Sequence, residues 1–111
     1  QDKASKLRSK YIEVTTNLIK DSLREFFLIN NEVVRLEFVI YLPNWNTYRD
    51  NPIISNWKIE MEDGNILPLN QDMDIYIRDS IGSLNTIFRD IGIGLVSLFG
   101  SGNIKVCKGD F

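Results

Sequence analysis

Hydrophobic residues recur at two different spacings along the chain, and these spacings predict its helices and strands. Over residues 3–29 they recur every three or four positions, which is the period of an amphipathic helix. The predicted core-facing side of this helix consists of Leu7, Tyr11, Val14, Leu18, Ile19, Leu23, Phe26 and Phe27. The helix is predicted to end at the Asn-rich segment 29–32, because asparagine tolerates the left-handed cap conformation.

After this helix the spacing changes to every second residue, which is the period of a β-strand. One face of the strand predicted over residues 33–42 consists entirely of apolar side chains. In residues 53–62 the two strand faces alternate strictly, with Ile53 on the apolar face. The Asp-Gly dipeptide at 63–64 is a strong hairpin signal, so residues 65–69 are predicted to return as a third strand. A proline inside that third strand places it at a sheet edge.

A second amphipathic helix is predicted over residues 71–91. Asn70 or Asp72 serves as its expected N-cap, and Gly92 is its expected stop signal. The first residues of this segment, 73–77, also fit the start of a strand, so the boundary is open at this end.

The last part of the chain is predicted to form a second hairpin, with strands at 95–99 and 103–107 joined by Gly-Ser-Gly. The predicted element order is therefore α-β-β-β-α-β-β. We predict an α+β fold, with an antiparallel sheet of four to five strands and two amphipathic helices packed on one face. The 111 residues suffice for a single domain spanning 1–111.

The composition argues against several classes of function. With 13 basic and 15 acidic residues the net charge is −2, so no basic excess favours a nucleic-acid partner. The chain lacks histidine, the usual general base near neutral pH and the commonest transition-metal ligand. No apolar run approaches the roughly 18 residues of a membrane span, and we predict no membrane partner. The single cysteine fits a reducing compartment and allows no intrachain disulfide.

Carboxylates are the only acid–base groups present in quantity. Glu60 and Glu62 are predicted to share one strand face about 7 Å apart, a spacing that fits a divalent cation or a glycosidic bond. A solvated strand face beside a turn accounts for the same residues. Cys107 has no histidine to activate it and is predicted to be a buried or half-buried structural residue. We therefore predict no catalytic residue, no metal site and no cofactor.

The segment between Pro43 and Pro52 differs from an ordinary polar loop, because it holds large aromatic residues and an arginine. Such residues are enriched at protein–protein interfaces, where they bury much area and keep a polar group. They are also compatible with a loop that folds back and covers the edge of the sheet. The candidate partner-binding residues are Trp45, Tyr48, Arg49, Asp50, Glu60 and Glu62.

The size, the element order and the closing hairpin resemble those of small immunity proteins. Such proteins neutralise secreted bacterial toxins, including the toxins of contact-dependent inhibition systems. The resemblance spans the segments "VVRLEFVIYL", "NWKIEMEDGNILPL", "MDIYIRDSIGSLNTIFRDI" and "GLVSLFGSGNIKVCKGDF". It implies a non-catalytic cytoplasmic antitoxin that binds its toxin through a protein–protein surface of acidic and aromatic residues.

Two other functions fit the sequence. The chain is compatible with a structural subunit or homo-oligomerising domain of a larger assembly, and the sequence leaves the oligomeric state open. It is also compatible with a carboxylate or metal-dependent enzyme built on Glu60, Glu62 and Asp63.

Replacing Trp45 with alanine is expected to weaken partner binding by about 2 kcal/mol or more, because truncating an interface tryptophan removes a large buried contact. The fold should survive the substitution. Calorimetric titration of the partner measures the affinity, and circular dichroism checks the fold. Unchanged affinity, or unfolding of the variant, would contradict a binding role for this segment.

Overall fold

A computed structural model describes residues 3–43 and 52–111 and shows an α+β fold with one antiparallel sheet. Its elements are α1 (Lys3–Ile29), β1 (Val33–Tyr41), β2 (Ile53–Met61), β3 (Ile66–Pro68), α2 (Ile75–Asp90), α3 (Gly92–Phe99) and β4 (Gly102–Cys107). The four strands lie in the order β3-β2-β1-β4. The predicted fold class, the central strands and the edge position of Pro68 are confirmed, whereas the predicted element order is wrong in one place.

An aromatic cluster around Phe38 joins the sheet to the helices above it. The ring of Phe38 lies 4.9 Å from Trp57, 5.6 Å from Phe88 and 5.9 Å from Phe99, measured between ring centroids. Phe38 and Trp57 come from neighbouring strands, whereas Phe88 belongs to α2 and Phe99 to α3. The cluster therefore fixes both later helices on one face of the sheet, with Phe38, Trp57 and Phe88 buried in the core and Phe99 partly buried against it.

Residues 95–99, predicted as a strand, belong to helix α3 instead, so the fold has three helices and a single closing strand. Gly94 of α3 lies directly against Thr15 of α1, where a β-carbon would come within 2.5 Å of the Thr15 hydroxyl. The Thr15 hydroxyl in turn donates to the Tyr11 carbonyl oxygen. Contact with α1 thus favours a helix in an apolar segment that carries no clear period of its own.

The helix ends also differ from the prediction. Asp74, rather than Asn70 or Asp72, is the N-cap of α2, and its carboxylate accepts hydrogen bonds from the backbone N–H groups of the next turn. Gly92 begins α3 instead of stopping α2. Asn30 ends α1 by donating its side-chain amide to the Phe26 carbonyl oxygen at 3.0 Å, without a left-handed residue.

A β-bulge interrupts the alternation predicted for residues 53–62. Glu37 pairs with Lys58 but Val39 pairs with Ser55, so β2 contains one extra residue there. Asn56 lies at this point with a φ of 56°, which is left-handed backbone. The bulge turns Ile54 toward the core and leaves Ile53 exposed, the reverse of the predicted arrangement.

Helix α1 carries two apolar faces instead of the single one predicted. Its buried face consists of Thr15, Ile19, Leu23, Phe26 and Phe27. The other face remains in solvent and consists of Leu7, Tyr11, Val14 and Leu18, which are 70%, 49%, 44% and 47% exposed. None of residues 3–11 is buried, so the first half of α1 extends past the core.

Within residues 3–43 and 52–111, no helix combines the length and the hydropathy that crossing a bilayer requires. Cys107 is exposed on β4, contrary to the prediction of a buried or half-buried residue. Its backbone N–H and carbonyl group are both hydrogen bonded to Asp110 in the turn that follows β4.

Replacing two helical glycines with alanine, one at a time, is expected to change the free energy of unfolding in opposite directions. Gly94→Ala should lower the free energy of unfolding by about 2 kcal/mol, because its β-carbon would overlap Thr15. Gly82→Ala in α2 should raise it by about 0.5–1 kcal/mol, because no atom lies within 4 Å of the new methyl group and alanine favours helix. Urea denaturation measures both, and equal effects would contradict the close α1–α3 packing.

Candidate protein-binding surface

The structure tests only part of the candidate site. Trp45, Tyr48, Arg49 and Asp50 lie outside the described residues, so their proposed role stays a prediction. Glu60 and Glu62 are described, and the structure places them in different surroundings.

Glu60 lies on the outer face of the sheet, the face opposite the helices, and is held in an ion pair. Its carboxylate lies 2.6 Å from an Arg35 guanidinium nitrogen on the neighbouring strand. The Nε atom of the same guanidinium lies 3.2 Å from a Glu37 carboxylate oxygen. This Nε makes no hydrogen bond of good geometry, so its contact with Glu37 is purely ionic. Lys58 and Lys105 flank Glu37 across the sheet, so positive and negative side chains alternate over this face.

Glu62 does not share the strand face of Glu60, contrary to the prediction. β2 ends at Met61, and Glu62 follows in the turn, where its backbone N–H donates to the Glu32 carbonyl oxygen at 2.9 Å. The described part of the chain contains no cluster of three or more histidine, cysteine or acidic residues able to hold a metal ion. The carboxylate pair on which the enzyme alternative depends is therefore not assembled as the sequence suggested.

The end of the sheet that bears Glu62 is strongly acidic. Residues 60–74 contain five acidic residues and no lysine or arginine. Asp63 and Asp74 accept backbone hydrogen bonds and stabilise a turn and a helix start. Glu62, Asp72 and the nearby Glu32 are exposed and form no salt bridge with any residue that the structure describes. Their charges are thus open to a partner.

A groove with apolar walls lies at this acidic end, between the end of α1, strand β3 and the start of α2. Its volume is about 280 Å³. Tyr76, Ile29 and Leu67 contribute walls that are 76%, 66% and 37% exposed. Glu32 and Asp74 lie at its margin. Glu62 lies beside Glu32, since its backbone N–H donates to the Glu32 carbonyl oxygen. We call these five residues, together with Glu62, the acidic groove.

Two basic residues make backbone contacts at or beside the groove. The Arg78 guanidinium donates to the Gln71 carbonyl oxygen at 3.3 Å. The Lys108 ammonium group donates to the backbone carbonyl oxygen of Asn31, which also lines the groove, at 2.7 Å. Both contacts are to neutral carbonyl groups, and neither side chain forms a salt bridge with a described carboxylate.

The sequence predictions missed most of this groove. They placed Glu62 in a binding surface, but they identified neither Tyr76 nor Ile29 as surface residues. The one signal present in the sequence was the acidic run at 60–74, which contains no lysine or arginine. This run indicates where the groove lies but does not predict its apolar walls. Those walls come from three separate elements and only the tertiary structure brings them together.

The opposite end of the sheet carries a second, smaller apolar patch. Tyr41 and Ile53 are paired across β1 and β2, and each is 51% exposed. Tyr41 ends strand β1 and Ile53 begins strand β2, and segment 44–51 lies between these two strands in the sequence. The patch is compatible with both interpretations of that segment, a partner contact and a cover over the sheet.

Comparison of this chain with protein-family models, curated proteins and solved structures finds no significant match.

A double-mutant cycle on Arg35→Met and Glu60→Gln should give a coupling free energy of about 1 kcal/mol, because both side chains are mostly shielded from water and lie 2.6 Å apart. The same cycle on Lys10 and Glu13, which are 71% and 63% exposed, should give no measurable coupling. Thermal and urea unfolding provide the free energies. Equal coupling in both pairs would contradict a structural role for Arg35.

Proposed function

We propose that this chain is a non-catalytic protein-binding domain whose acidic groove receives a basic protein. The observation that supports this most strongly is the combination, around one concave surface, of exposed apolar walls with carboxylates that form no salt bridge with a described residue. Apolar walls provide the area that a partner can bury, whereas the carboxylates steer an oppositely charged partner toward the groove.

The partner class that we propose is a secreted bacterial toxin, with this chain as its cytoplasmic immunity protein. Toxin domains that act on nucleic acid present basic substrate sites, and an acidic groove with a protruding tyrosine is complementary to such a site. The resemblance of the chain to small immunity proteins supports the same partner. In this proposal Tyr76 inserts into the toxin and Glu32 and Glu62 contact its basic residues.

The carboxylate-enzyme alternative has weaker support. Glu60 is already paired with Arg35, and Glu62 lies beyond the end of the strand. A structural or self-associating role has more support, because the first half of α1 leaves an apolar face flanked by basic residues exposed.

Tyr76→Ala is expected to weaken toxin binding by about 2 kcal/mol, roughly a 30-fold rise in Kd, because an aromatic anchor is lost. The substitution should not affect folding, since the side chain is 76% exposed. The toxin to use is a domain encoded immediately beside this chain's gene. Its growth inhibition with and without this chain, together with calorimetric Kd values, provides the measurement.

Tyr11→Ala is the matched control, since it removes a half-exposed tyrosine from the first half of α1, outside the acidic groove. It should retain the wild-type Kd. An equal loss of affinity in both variants, or wild-type affinity for Tyr76→Ala, would exclude the acidic groove as the contact surface. Failure of the chain to protect cells from the adjacent toxin would contradict the immunity function itself.

A further inference from the structure

The first half of α1 presents a surface with the opposite character to the acidic groove. Leu7, Tyr11, Val14 and Leu18 are spaced four, three and four residues apart, which is the spacing of a coiled-coil seam. All four are at least 44% exposed. We call these four residues, with the lysines and arginine beside them, the basic stripe.

The basic charge of this stripe is concentrated in a few turns of helix. Residues 3–18 contain Lys3, Lys6, Arg8 and Lys10 but only one acidic residue, Glu13. Glu13 forms a salt bridge with Lys10 at 3.3 Å, and both side chains are well exposed. The remaining three basic residues form no salt bridge with the described carboxylates.

We infer that the basic stripe of one molecule docks into the acidic groove of a second copy of this chain. Each surface provides exposed apolar side chains, and the charges around them are opposite in sign. Pairing the two surfaces removes both apolar patches from water and brings unpaired ammonium groups close to unpaired carboxylates.

The stripe cannot reach the groove of its own molecule. Both surfaces include residues of α1, since Ile29 at the end of this helix forms one wall of the groove. Tyr11 and Ile29 are 18 residues apart on one continuous helix, which separates them by about 27 Å. Contact between stripe and groove therefore requires two molecules.

Symmetrical pairing of two stripes is less favourable. The side chains closest to the seam on either side include Lys3, Arg8 and Lys10, and no acidic residue lies among them. A stripe-to-stripe dimer would place like charges next to each other, whereas stripe-to-groove contact places opposite charges together.

The resulting contact is heterologous, because it joins different surfaces of two identical molecules. Each molecule in such a contact retains one free stripe or one free groove, so the assembly grows head to tail into an open chain or a ring. The small patch sizes indicate a weak, concentration-dependent association. One consequence rests on the proposed function. Because self-association occupies the groove, it competes with toxin binding.

Sedimentation velocity tests this inference on the whole chain between about 10 µM and about 1 mM, the affinity range of small interfaces. The weight-average mass of the wild type should rise with concentration beyond that of a dimer. The rise should be smaller in about 0.5 M salt, because the charges are exposed and screened. Wild-type protein that stays monomeric throughout this range would overturn the inference.

Charge reversal provides the decisive comparison. A stripe variant, Lys3→Glu with Lys10→Glu, and a groove variant, Glu32→Lys with Glu62→Lys, should each remain monomeric alone. An equimolar mixture should associate again, since the acidic stripe of one variant meets the basic groove of the other. All four positions are exposed, and circular dichroism checks that each variant folds.

A control variant, Asp21→Lys with Asp90→Lys, changes the net charge by the same amount and sign as the groove variant, at positions outside both surfaces, and should associate like the wild type. Association that survives the groove variant, or a mixture that fails to associate, would overturn the inference. So would a monomeric wild type that binds vesicles of phosphatidylserine and phosphatidylcholine through its stripe. None of these results bears on toxin binding, which the Tyr76→Ala titration measures separately.

Discussion

The contact of Phe38 with aromatic rings on three other elements is the interaction on which the rest of the structure depends. It joins the two central strands to α2 and α3, and α3 in turn packs against α1 where Gly94 meets Thr15. Because all of this packing lies on one side of the sheet, the core is one-sided. The outer face of the sheet and the far end of α1 consequently have no described element to cover them.

This one-sided core explains where the available surfaces lie. On the outer sheet face, Arg35 balances Glu60 and Glu37, so that face presents paired charges. At the acidic end, no arginine among the described residues forms an ion pair with Glu32 or Glu62. The two surfaces differ in what they offer a partner. On the outer sheet face the charges are largely paired with one another, whereas the acidic end combines carboxylates without salt bridges with exposed apolar area that favours binding.

The proposed toxin contact and the proposed self-association have the same chemical basis. In each of them an exposed apolar side chain is buried beside charges of opposite sign, and the groove serves as the receiving surface. A chain that is slightly acidic as a whole carries this polarity because residues 3–18 contain four basic residues and one acidic residue, whereas residues 60–74 contain five acidic residues and no lysine or arginine.

The sequence alone determined the fold class, the paired central strands, the hairpin at 63–64 and the edge position of Pro68, because each depends on local periodicity or on backbone restrictions. It also located the acidic run. Tertiary structure decided the rest. Residues 95–99 became helical because Gly94 fits against Thr15, and the bulge at Asn56 exchanged the faces of Ile53 and Ile54. The period of α1 showed that it is amphipathic, but only the finite size of the core decided that Leu7 and Tyr11 would remain in water.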